Sequence, residues 1–188
     1  MARPLSEDRR NAILSAATEL VAQQGLGAAT AEIAKRAGVP HGSVFTYFET
    51  KGALLNALYL ELKTELVDAV NLQPSSNDDV RDQFQHLWLT WTRWGAANPA
   101  KRRALAQLGV SDQISELSRK QAFQSAHASL ELVRRASMNG ALRDAPPYFV
   151  GALVESSVST TTDFMIRQPE QAERICTLGF EAMWKALN

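Results

Sequence analysis

Residues 30–51 read TAEIAKRAGVPHGSVFTYFETK, and their pattern decides the fold of the first part of the chain. The pattern predicts two short helices joined by a tight turn at Gly38-Val39-Pro40. Gly38 can adopt the left-handed conformation that ends a helix, and Pro40 suits a first helical turn, where no backbone N–H is needed. Thr30 is a good N-cap for the first helix. The pair predicts a helix-turn-helix, a motif that places its second helix in the major groove of DNA.

A longer family pattern runs through and just beyond this block. The matching positions are Thr30, Ile33 (one place early in the usual spacing), Ala34, Ala37, Gly38, Val39, Gly42, Ser43, Val44, Phe45, Tyr47, Phe48, Lys51 and Leu54. On these residues the chain resembles the DNA-binding domain of the TetR family of bacterial transcriptional regulators, over about residues 6–60. Phe45 stands where the family usually has Tyr, so a hydroxyl contact there is lost. The resemblance implies a helical body that binds a small inducer and forms a dimer.

Outside this block the sequence predicts further helices and no convincing strand. Ser6 can cap the first helix, Gly25 can end it, and Thr50 can cap a long fourth helix. NLQPSSN at 71–77 breaks the helical pattern. Later helices are expected over about 78–97, 100–110, 111–140, 147–167 and 169–187.

These signals predict an all-α chain of about nine helices. The expected domains are a three-helix DNA-binding head at 1–50, a connecting helix at 51–70, and a ligand-binding and dimerisation body at 71–188.

Composition limits the classes of function. The chain has 188 residues, of which 45% are hydrophobic, and no apolar run approaches the roughly 18–20 residues needed to span a bilayer. The N-terminus lacks the long apolar segment of a signal peptide, which favours the cytoplasm. The single Cys176 excludes an intrachain disulfide and a cysteine-rich metal site. Formal net charge is zero, so any affinity for DNA must come from where the charges lie.

The head supplies candidate contacts to a double-stranded DNA operator. Phosphate contacts are expected from Thr30, Tyr47 and Lys51, because helix N-termini, hydroxyls and lysines bind phosphate oxygens. The alternative is that Thr30 is only a cap and Lys51 only a solvated side chain. Arg3 and Arg36 could add backbone or minor-groove contacts.

The second helix of the motif carries the candidates for reading sequence. Side chains that could contact base edges are His41, Ser43, Phe45 and Thr46. Which of the four reads a base is left open. Val44 and Phe48 are expected to face inward and hold this helix in place.

An aromatic stripe marks the body, because Phe84, Trp88 and Trp91 fall on one helical face. Core packing is the simplest reading for any single one of them. As a group they could instead wall a pocket for a small, largely apolar effector. The predicted ligand contacts are Phe84, Trp88, Trp91, Gln107, Phe123 and His127, with His86 nearby.

The last two helices are the expected dimer surface, with ordinary intrachain packing as the alternative. The predicted contacts are Val154, Val158, Thr162, Met165, Ile175, Leu178 and Ala182. The resemblance implies that two such helix pairs form a four-helix interface in a homodimer.

The predicted function is a ligand-responsive transcriptional regulator, most simply a repressor that binds a pseudo-palindromic operator as a dimer. No metalloprotease, P-loop or dinucleotide-binding pattern occurs, so we expect neither an enzyme nor a cofactor or metal. Two alternatives stay open. One is a helical ligand-binding or interaction protein whose head does not read DNA, and the other is a helical enzyme built around the tryptophan stripe.

Overall fold

The computed structural model describes residues 6–70 and 79–188, and every regular element in them is helical. Arg3 and the break predicted at 71–77 lie outside these residues. The helices are α1 (Glu7–Gln24), α2 (Thr30–Arg36), α3 (His41–Tyr47), α4 (Lys51–Val70), α5 (Val80–Ala97), α6 (Pro99–Gly109), α7 (Glu116–Ser125), α8 (His127–Ala136), α9 (Pro147–Arg167), a 3₁₀ turn (Pro169–Gln171) and α10 (Ala172–Leu187). The all-α prediction is confirmed.

The described helices group into two compact units. The first holds residues up to Thr64 together with Pro99–Ala122, and the second holds Glu65–Asn98 together with Phe123–Asn188. Helix α6 therefore belongs with the N-terminal helices, because it packs along α1. The predicted functional division at 1–50, 51–70 and 71–188 stays a prediction.

The apolar stripe of α1 forms the centre of the first unit. Ile13, Leu14 and Leu20 are buried on α1, and Leu108 is buried on α6. Helix α1 ends at Gly25, whose φ of +81° is a conformation that residues with a β-carbon rarely adopt. The sequence expectation for the end of α1 therefore agrees with the structure.

Of the three predicted helix caps, Thr50 agrees with the structure in full, Ser6 agrees in position only, and Thr30 is wrong. Ser6 precedes α1 but makes no side-chain cap bond. Thr30 is the first residue of α2 after Ala29, so its hydroxyl lies inside the helix and not at the cap position. Thr50 does cap α4, since its Oγ1 accepts a hydrogen bond from the N–H of Ala53 at 3.0 Å.

The single helix predicted over 111–140 is also wrong, because the chain forms a turn and then two helices. Ser115 Oγ accepts the N–H of Ser118 at 3.1 Å, which starts α7 only at Glu116. Asn56 on α4 holds the turn, accepting from Ser115 N at 2.9 Å and donating to Gln113 O at 2.8 Å. With this break the described residues contain ten α-helices.

The second unit is built around aromatic rings. Phe84 lies 6.1 Å from Phe180 and 6.0 Å from Trp184, measured between ring centroids. Trp88 Nε1 donates to the carbonyl oxygen of Cys176 at 3.1 Å, which ties α5 to α10. These side chains form a core between α5 and α10. Among the helices of the described residues, none is long and apolar enough to cross a membrane.

Candidate functional site

The turn between α2 and α3 fixes the direction in which α3 leaves α2. Gly38 has a φ of +69°, and its N–H donates to Lys35 O at 3.2 Å. The N–H of Val39 donates to Ala34 O at 3.0 Å. This pair of bonds is the Schellman pattern for a helix end, and it satisfies carbonyls that α2 would otherwise leave open. The turn predicted at Gly38 is therefore observed.

Helix α3 has a buried face and an exposed face. Val44 and Phe48, which closes the helix, are buried in the first unit. His41, Phe45 and Thr46 are exposed, and Ser43 is half-buried. The four candidate base contacts therefore lie on or beside the exposed face of a helix anchored by its apolar residues. Their contacts with bases stay a prediction.

Polar bonds order the side chains at the start of α3. His41 Nε2 lies 3.1 Å from Thr30 Oγ1, so one imidazole nitrogen links α3 back to α2. The ring of His41 meets the edge of Phe45 with 5.4 Å between centroids. Because Thr30 is not at the cap position, its hydroxyl is available for this link.

Tyr47, at the end of α3, makes a contact that sequence reasoning missed. Its phenolic oxygen accepts a hydrogen bond from the backbone N–H of Ser6 at 3.1 Å. The two residues are 41 positions apart, so no local pattern could signal this bond.

Lys51 is the first residue of α4, and its side chain is half-buried. Arg36 pairs with Glu19 of α1, which gives it a role inside the head.

The structure places the six predicted ligand residues in different environments. Phe84 is 0% and Trp88 is 1% exposed, so both rings belong to the aromatic core. Gln107 lies in the first unit, beside Gly25. Trp91 is half-buried and Phe123 is exposed. The stripe on α5 is explained by core packing, the simpler of the two readings.

A cleft lies elsewhere in the second unit, and of the predicted six it takes in His127. It has a volume of about 540 Å³, a common size for a small-molecule site. Its walls come from the end of α4, from α5 and from α8. The lining residues are Val70, Gln83, His86, Leu87, His127, Ala128, Ser129, Glu131, Leu132 and Arg135.

Charges along this cleft are unevenly paired. Glu131 accepts two hydrogen bonds from Arg134, at 2.8 and 2.7 Å, and these bonds hold the pKa of the Glu131 carboxyl below its ordinary value. The same pairing raises the pKa of the Arg134 guanidinium. Arg135 Nη1 donates instead to the neutral amide oxygen of Gln83, at 3.2 Å. The carboxylate of the cleft is therefore compensated chiefly by Arg134. The positive charge of Arg135 also acts on this carboxylate, but the hydrogen bond of Arg135 goes to a neutral group.

The predicted dimer residues fall into two groups. Val154, Val158, Thr162 and Met165 are buried inside the second unit, so the sequence expectation that α9 offers them as a surface is wrong. They pack inward because α9 lies between α5, α8 and α10. On α10, Leu178 and Ala182 are exposed and Ile175 is half-exposed. The large exposed apolar residues of α9 and α10 are Tyr148, Phe149, Phe164, Ile166 and Leu178.

Both the first helices and most of the chain are similar to known transcriptional regulators. Residues 13–58 match the model for bacterial regulatory proteins of the tetR family. The HTH-type transcriptional regulator BetI of Escherichia coli O45:K1 (strain S88 / ExPEC) is 29% identical over 170 residues, which cover 73% of this chain and 87% of that protein.

Solved structures extend the similarity along the chain. A candidate tetR family transcription regulator from Shewanella sp. PV-4 superposes with a TM-score of 0.85 and 28% identity, covering 95% of this chain and 97% of that one. A TetR family regulator from Marinobacter aquaeolei VT8 shares the fold at a TM-score of 0.79 and 24% identity, covering 96% of each chain. Residues 13–58 therefore match the DNA-binding domain of the tetR family, and the fold of the chain is that of solved TetR family transcription regulators.

Proposed function

We propose that this protein is a homodimeric repressor that acts in the cytoplasm, where two heads bind successive major grooves of a pseudo-palindromic operator. The observation that carries the proposal is the exposed face of α3, which presents His41, Phe45 and Thr46 while Val44 anchors the helix. Hydroxyl, imidazole and aromatic groups on an exposed helix are suited to base edges and thymine methyl groups. The head corresponds to 1–50, the connecting helix to 51–70 and the body to 71–188.

Phosphate contacts would position this helix. The N-terminus of α4 carries Lys51 beside backbone N–H groups, and together they favour an anion. Tyr47 Oη already accepts a bond from Ser6, so its own proton remains available to donate to a phosphate oxygen. Thr30 at the start of α2 can donate in the same way, in exchange for its bond to His41.

Release of the operator is assigned to a small molecule in the body. The cleft between α5 and α8 supports this assignment, because it combines apolar walls with a few polar groups that can orient a ligand. Binding shifts the protein away from its DNA-competent form only as far as the ligand prefers the other form. A hundredfold preference is worth about 2.7 kcal/mol, enough to empty an operator held by a modest margin.

The test is selection of a binding site from random duplexes, followed by titration at several salt concentrations. About three to four phosphate contacts per head give about six to eight per dimer, so log K against log salt should have a slope of about −5 to −7. The selected site should be a pseudo-palindrome with half-sites about one helical turn apart. Recovery of no preferred sequence would favour the alternative, a helical ligand-binding protein without specific DNA recognition.

A further inference from the structure

We propose that the cleft between α5 and α8 binds a small organic anion, with its acid group beside Arg135 and its apolar part against Leu87 and Leu132. The inference rests on the proposed function, in which a small molecule in the body is the effector, and it names the chemical class of that molecule. It also replaces the largely apolar effector expected from the tryptophan stripe.

The negative charge proposed for the ligand follows from how the charged groups on α8 are paired. Of the charged groups on α8, Glu131 and Arg135 line the cleft, and Arg134 lies beside them, bonded to Glu131. Arg134 holds that carboxylate with two hydrogen bonds, so the acid is already satisfied and offers little to a cationic ligand. Arg135 donates to a neutral amide, and a planar guanidinium can exchange such a bond for a charge-assisted pair with a carboxylate or phosphate.

The shape of the cleft suggests an elongated ligand. Its α8 wall runs from Arg135 to His127, eight residues away on the same helix face. At a rise of 1.5 Å per residue this is about 12 Å, enough for a short acyl or alkyl chain. Leu87 and Leu132 line the cleft between polar ends and can cover such a chain.

The far end of the cleft offers a second polar point. Ser129 lines the cleft, and its Oγ is buried with no hydrogen-bond partner among the described residues. Buried hydroxyls in proteins are normally satisfied by protein, water or ligand. This hydroxyl is a second polar group on the α8 wall, six residues or about 9 Å along the helix from Arg135.

The experiment compares three eight-carbon probes that differ in their head group, titrated into the full chain by calorimetry. Octanoate, an anion, should bind at least tenfold more tightly than octanol or octylamine. Arg135→Gln should reduce the octanoate affinity at least tenfold, and Arg135→Lys should restore part of it. The matched control is Arg93→Gln, because Arg93 is an exposed arginine of α5 that does not line the cleft. Circular dichroism checks that each variant folds.

Three results would overturn the proposal: no octanoate binding, equal binding of the three probes, or equal octanoate binding by wild type and Arg135→Gln. Operator release is scored separately, by adding octanoate to the protein–DNA complex. Anion-selective binding without release would support the site and contradict its role as the effector site. A chain that binds octanoate through Arg135 but never binds DNA specifically would contradict the proposed function alone.

Discussion

Tyr47 holds the fold of the head together and is also predicted to contact DNA. Its phenolic oxygen takes the N–H of Ser6, just before α1, and so ties the start of the head to the end of α3. A phenol oxygen can accept one bond and donate another, so this tie does not consume the proton that a phosphate would take. The same hydroxyl can therefore orient α3 and contact the DNA backbone.

We predict that Tyr47→Phe weakens DNA binding about equally for all sequences. The variant loses the bond to Ser6, which costs about 0.5–1.5 kcal/mol of stability, and it also loses a phosphate contact from each head. Thr46→Ala is the comparison, since loss of an exposed hydroxyl on α3 should change the preference among sequences. Affinities for the selected operator and a scrambled duplex measure both effects. If Tyr47→Phe binds both duplexes as tightly as the wild-type protein does, Tyr47 is not part of the DNA interface.

Trp88 is a core residue, so substituting it should lower the stability of the second unit. A ring that is 1% exposed and bonded to the carbonyl of Cys176 stabilises the second unit, so Trp88→Ala should cost about 3–5 kcal/mol. Trp88→Phe should cost less, because it keeps most of the ring. The half-buried Trp91 is the control, and Trp91→Ala should be milder. Urea denaturation measures the free energies of unfolding. A Trp88→Ala protein of wild-type stability would contradict the assignment to the core.

At the scale of helices, the sequence predicted ends that local chemistry determines. Gly25, Gly38 and Thr50 act through conformations and bonds within a few residues, and all three behave as expected. The break before α7 depends on Asn56, which is more than 50 residues away from the turn that it holds, so no window around 111–115 could reveal it. The break between α7 and α8 has neither Gly nor Pro to mark it.

Sequence patterns carry no information on long-range contacts, and this also explains why some predicted site residues lie in the core. Periodicity showed that Val158 and Trp88 lie on apolar helix faces, but an apolar stripe packs equally well against the same chain, a partner or a ligand. The contacts that decide between these are long-range, as between Trp88 on α5 and Cys176 on α10. The sequence does not predict the cleft for a related reason, because its lining mixes apolar, polar and charged side chains from three helices.

Helix α10 packs so closely on its neighbours that Gly179 should not tolerate a side chain. A β-carbon there would lie 2.9 Å from a ring carbon of Trp88 and even closer to Thr161 Oγ1. Gly179→Ala should therefore lower stability by about 1–3 kcal/mol. Gly109 in α6 has open space where a β-carbon would lie, so Gly109→Ala should be neutral or slightly stabilising. Thermal denaturation of both variants provides the test, and an unchanged Gly179 variant would show that α10 can shift.

For the whole molecule, the exposed apolar residues of α9 and α10 are the best candidates for the dimer contact. Leu178 is 59% exposed on α10, and Phe164 is exposed on α9. Side chains of this size are usually covered when they cluster on one surface. The buried residues predicted for the interface, such as Val158, would then support this surface from inside the chain.

We predict that Leu178→Arg yields a folded monomer, because an unpaired charge in the interface is costly while the isolated chain already exposes this position. Val158→Arg should unfold the second unit instead, since that side chain is 3% exposed. Leu117→Arg is the matched control, because Leu117 is 66% exposed but lies on α7. Light scattering gives the mass of each variant. A dimer that survives both Leu178→Arg and Phe164→Arg would place the interface elsewhere.

The monomeric variant also tests how the two heads share the operator. If each head makes about three to four phosphate contacts, a single head should show a slope of log K against log salt of about −2.5 to −3.5, half that of the dimer. The affinity of the monomer for the operator should fall by more than the lost base contacts of one head account for. In a dimer, the second head binds at a high effective concentration once the first head is bound, and a monomer lacks this gain. Leu117→Arg should keep the full slope. Equal slopes for the Leu178→Arg and wild-type proteins would mean that only one head of the dimer contacts DNA, and the pseudo-palindromic operator would then be wrong.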